Sequence, residues 1–75
     1  MIRPRELFDE RMQKLGASVD EFNRVTMRLR AVKRWEDARP DDAKTMSYDG
    51  WREYILIRIL SEAQAASESY LDLKE

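Results

Sequence analysis

From Val19 to Trp35, apolar residues recur at steps of three and four: Val19, Phe22, Val25, Leu29, Val32 and Trp35. An α-helix brings such positions to one side, because its repeat of about 3.6 residues returns i+3 and i+4 to the same face. The stripe therefore confines the middle of the chain to helix and requires an apolar surface for it to pack on. Ser18-Val19-Asp20-Glu21 precedes it with the form of a capping box, in which the serine side chain accepts from the Glu21 amide while the glutamate reaches back. Arg39-Pro40-Asp41-Asp42 follows it as a stop, since Pro40 disfavours helical backbone at Arg39 and the aspartates suit a turn. Two arrangements satisfy this pattern. One is a single long helix from Val19 to Ala38; the other is two short helices broken near Thr26-Met27-Arg28.

The flanks also read as helix. Pro4 suits a first helical turn, where its missing N–H costs nothing. Leu7, Phe8, Met12 and Leu15 follow at helical spacing, and Gly16 can adopt a left-handed cap, so a first helix is expected over about residues 4–15. Residues 40–48 form a loop, and Ser47 or Asp49 can cap a last helix over about 49–68. Its main stripe is Ile55, Ile59, Ala63, Ala66 and Tyr70, widened by Leu56 and Leu60, while Tyr54 and Ile57 fall on the other side of the wheel. That is more apolar circumference than a small monomer readily covers. One face is expected to pack internally and the other, through Tyr54 and Ile57, against a second copy in a homodimer; cover by the first helix and the loop is the alternative. Leu71, Leu73 and Glu75 are expected to fray. The fold class expected is all-α: a single-domain small helical bundle over residues 1–75, with either a helix-turn-helix over 18–38 or one long central helix, and a packing helix over 49–68.

Composition excludes several functions. The 75 residues contain no cysteine and no histidine. Disulfides, thiolate or imidazole zinc sites and the usual nucleophile–base pairs are thereby removed. The carboxylates of Asp9, Glu10, Asp20 and Glu21 lie among arginines on helix faces, a setting for solvation or i,i+4 pairing rather than for acid–base chemistry. No enzyme activity, metal or cofactor is expected. The longest apolar run, Tyr54 to Ile57, is too short to cross a bilayer, and the start of the chain has no apolar core of signal-peptide length. A cytoplasmic protein without a membrane partner is expected.

The formal net charge is −1, but it is unevenly spread. Between Arg24 and Arg39 there are six basic residues and two acidic ones, a local +4 within an otherwise acidic chain. Ser18 to Pro40 (SVDEFNRVTMRLRAVKRWEDARP) resembles the helix-turn-helix of Cro/repressor-type, Xre-like DNA-binding proteins. The resemblance makes Ser18–Val25 a positioning helix, Thr26–Arg28 a turn and Leu29–Asp37 a recognition helix, with Val32-Lys33-Arg34-Trp35-Glu36 matching the family's Val-x-Arg-Trp-Glu signature. Gly50-Trp51 and the apolar helix behind it resemble the family's packing helix. Asn23 stands where the family usually has alanine and Met27 where it usually has glycine, substitutions that suit a continuous helix.

The resemblance implies a sequence-specific, dimeric transcriptional regulator bound to double-stranded DNA. Its recognition helix would lie in the major groove with Leu29, Val32 and Trp35 facing inward. Arg28, Arg30, Lys33 and Arg34 would then face outward, arginines toward guanine edges and Lys33 and Arg39 toward phosphates. The rival expectation is a small helical protein-interaction module, an inhibitor or adaptor of a larger protein, resting on the near-neutral charge, the missing turn glycine and the surplus apolar surface of the last helix.

Overall fold

The computed structural model describes residues 3–74. Its order is α1 (Pro4–Val32), α2 (Trp35–Ala38), a 3-10 turn (Asp41–Ala43) and α3 (Tyr48–Lys74), with no strand among the described residues. The chain is an all-α helical bundle dominated by two long helices. They run antiparallel: Phe8 meets Tyr70, Arg11 meets Ser69, Ser18 meets Glu62 and Phe22 meets Trp51. The result is a rod of 48 × 19 × 18 Å.

Pro4 occupies the first turn of α1, as its spacing predicts, behind an extended Arg3. The helix does not stop at Gly16. That glycine has no positive φ, so it is not a left-handed cap. A glycine inside a helix costs about 1 kcal/mol relative to alanine. Contacts with α3 on either side of it, from Arg11 and from Ser18, hold the helix through that weak point.

Ser18 is therefore an interior residue rather than a cap. It is buried, and its hydroxyl donates to Glu62 Oε2 at 2.6 Å. Glu21, the other half of the expected capping box, is paired with Arg58 instead.

Nor is there a turn at Thr26–Arg28. The Thr26 hydroxyl bonds back to the carbonyls of Phe22 at 2.9 Å and Asn23 at 3.0 Å, and the backbone stays helical to Val32. This replaces both expected arrangements: the helix that contains the stripe starts at Pro4 and ends six residues before Ala38. It ends at Lys33, whose φ of 56° and ψ of 20° are left-handed and whose N–H reaches the Leu29 carbonyl at 2.7 Å. The expected recognition helix 29–37 is thus split at Lys33-Arg34 into the last turn of α1 and the four-residue α2.

At α3, Ser47 supplies the cap: its Oγ accepts from the Gly50 N–H at 3.1 Å. The helix runs to Lys74, beyond the expected end at 68, so Leu71 and Leu73 are helical; Glu75 lies outside the described residues.

The apolar core sits at the end of the rod where the connection folds back. Val25, Ala43, Trp51 and Ile55 are buried, with Phe22, Trp35, Met46, Tyr48 and Ile59 packed around them. Phe22 stacks on Trp51 at 5.8 Å, Trp35 meets Trp51 at 5.4 Å, and Tyr48 stands edge-on to Trp35 at 5.5 Å. The Trp35 indole N–H donates to the Met46 carbonyl at 2.7 Å, satisfying the polar atom that a half-buried tryptophan brings with it. This cluster ties the loop and α2 to the ends of the long helices.

Candidate interaction surface

Of the five residues expected to contact DNA, Arg28 and Arg30 lie on the last turns of α1, Lys33 at its left-handed end, Arg34 before α2 and Arg39 after it. At about 100° of rotation per residue, positions two apart on a helix lie some 200° apart. Arg28 and Arg30 therefore leave α1 in nearly opposite directions. Arg30 borders a groove with Phe22, Thr26, Tyr48 and Arg52. Arg34 is engaged with its own neighbours, 3.6 Å from Glu36 and 3.9 Å from Asp37, in an exposed cluster. Arg39 is half-buried. The structure does not gather these five cations on the face of one helix. Of the three residues expected to face inward, Leu29 and Trp35 are half-buried but Val32 is 38% exposed, because the chain turns away at Lys33.

Away from the aromatic end, the two sides of the hairpin differ in chemistry. One side and the seam beneath it are polar. The Arg11 guanidinium donates to the Ala65 carbonyl at 2.8 Å and to the buried Ser69 hydroxyl. Arg58 pairs with Glu21 and lies 3.9 Å from Glu62, its guanidinium 5.8 Å from the Tyr54 ring centre. The hydrogen bond that Arg58 donates to Glu21 raises the Arg58 pKa above the ordinary arginine value, against the opposing effect of burial. Arg58 Nε is buried without a hydrogen-bond partner. Arg11, Lys14, Ser61, Glu62 and Ala65 line a groove on this side.

The other side carries no charge over its central length. It is bounded at one end by Phe8 against Tyr70, ring centres 6.0 Å apart, and at the other by the groove of Phe22, Tyr48 and Arg52. Between these limits, helical steps of three and four pass on α1 through Met12, Leu15 and Val19. On α3 they pass through Leu56, Leu60, Ala63 and Ser67. Met12 is 43% exposed, Val19 36% and Leu60 69%. The charged residues of the same stretches turn elsewhere: Arg11, Glu21, Arg58 and Glu62 to the seam and polar side, Asp9, Asp20 and Glu68 to the outer surfaces.

Sequence reasoning attributed the surplus apolar surface to the last helix alone. It did not find this shared face, because Met12 and Val19 belong to segments expected to be separate helices. Tyr54 and Ile57, expected at a dimer contact, are 47% and 57% exposed. Tyr54 lies on the Arg58 side and Ile57 on the outer surface of α3, so neither is part of the uncharged face.

No helix among the described residues is long and apolar enough to cross a membrane. The chain matches no protein-family model, no curated protein and no solved structure.

Proposed function

We propose that this chain is a helical protein-interaction module that acts by docking its uncharged side onto another protein. One observation carries the reading: Met12 and Val19, exposed on α1, and Leu56 on α3, with exposed Leu60 at its outer edge, share a face free of charge over its central length. Apolar surface of this kind is stabilised by removal from water at about 25 cal/mol per Å², and a contiguous exposed patch marks a contact site more often than an accident of composition. A partner offering an apolar helix or groove fits it. Reading a duplex is less well supported. It needs several long cations projecting together from one groove-sized element. Here Arg28 and Arg30 diverge, Arg34 faces Glu36 and Asp37, and Arg39 is half-buried.

The test compares the tagged chain with Val19→Glu/Leu60→Glu by copurification from cells that produce the chain naturally, alongside a mobility-shift titration with duplex DNA at low salt. A larger protein retained by the native chain and lost by the variant is the expected result, with no duplex shift. A salt-dependent duplex shift that survives the double substitution and disappears with Arg30→Ala or Lys33→Ala would overturn the proposal.

A further inference from the structure

We infer that the uncharged face pairs with the same face of a second copy, so that two hairpins close into a four-helix bundle. The inference rests on the docking face of the interaction reading above and takes a second copy as its occupant when no larger partner is present.

Area is the first argument. The chain exposes 5942 Å². A compact monomer of 9.0 kDa is expected to expose about 4,900 Å². The excess, roughly 1,000 Å², is close to the ~800 Å² that each partner buries in a stable interface. The radius of gyration agrees: it is 15.3 Å, against about 11 Å for a compact domain of this length. The chain thus has the surface and shape of half an assembly.

Charge is the second argument. With 14 basic and 15 acidic residues, two copies repel each other little, and the central part of the meeting faces holds no charge to be desolvated. A foreign partner would have to supply a matching apolar strip; a second copy supplies one by symmetry. A two-fold axis sets α1 and α3 of one hairpin against those of the other, and the four helices then share one apolar interior. For a chain this short, without disulfide or metal, such pairing adds the core that a two-helix hairpin lacks.

Sedimentation equilibrium on the untagged full chain over a dilution series tests this. The expected mass is twice 9.0 kDa. Met12→Glu and, separately, Val19→Glu should each halve it with far-UV helicity retained, because both side chains are substantially exposed in the single hairpin. Ser61→Glu, on the polar side beside Arg11 and Lys14, should leave the doubled mass unchanged. A wild-type chain of single mass at every concentration overturns the inference without reference to any variant. A doubled mass that resists both face substitutions, or that yields to Ser61→Glu alone, overturns it equally. Single mass together with capture of a larger protein through Met12 and Val19 would sink self-pairing and leave the interaction reading standing. A doubled mass with nothing captured would do the reverse.

Discussion

Replacing Gly16 by alanine asks the structure a question with a sign for an answer. As an interior residue of α1, Gly16 is exposed and has no positive φ, and a Cβ built there meets nothing within 4 Å. Alanine then brings only its higher helix propensity and a less entropic unfolded chain, a gain of about 0.5–1 kcal/mol. Were Gly16 the left-handed cap of a short first helix, the same change would force alanine into that conformation at a cost of about 1–2 kcal/mol. The two alternatives differ by roughly 2 kcal/mol and in direction. Urea denaturation followed by helix content, at fixed protein concentration, resolves a difference of this size. With a slope of about 1 kcal/mol per molar for so small a domain, the midpoint should rise by roughly 0.5–1 M. Thermal melting should shift upward by about 2–8 °C. A lowered midpoint would refute the continuous α1 and restore a helix ending near residue 15.

Two further substitutions bear on the hairpin. Lys33→Gly should stabilise the chain by about 1 kcal/mol in the same denaturation assay, since Lys33 holds a φ of 56° that glycine adopts without a steric penalty. Ser18→Ala should cost about 1–2 kcal/mol by leaving the Glu62 carboxylate short of a donor in the seam. In a double-mutant cycle with Glu62→Ala the two losses should fail to add by roughly 1 kcal/mol. Strict additivity would mean that Ser18 acts on its own turn as a cap and not across the hairpin.

Much of this architecture is legible in the sequence. The all-α class follows from spacing alone, because the 3.6-residue period is a property of local backbone geometry. So do the helix start at Pro4, the interruption before Pro40 and the Ser47 cap, each set by one residue's backbone or hydrogen-bonding preference. The inward place of Trp35 was readable from its position on the apolar stripe, although its contact with Trp51 at 5.4 Å was not. What local chemistry could not decide was where α1 ends. Gly16, Ser18 and Thr26 each offered a stopping point, but their preferences amount to about 1 kcal/mol apiece, and partners some 40 or more residues away in sequence outweigh the first two. Continuity of α1 then fixes the rotation of every later residue, which sends Arg28 and Arg30 to opposite sides and aligns Met12 with Val19. Backbone punctuation is written in neighbouring residues and can be read from them; the sharing of a face by two helices depends on their docking, and only the tertiary structure decides that.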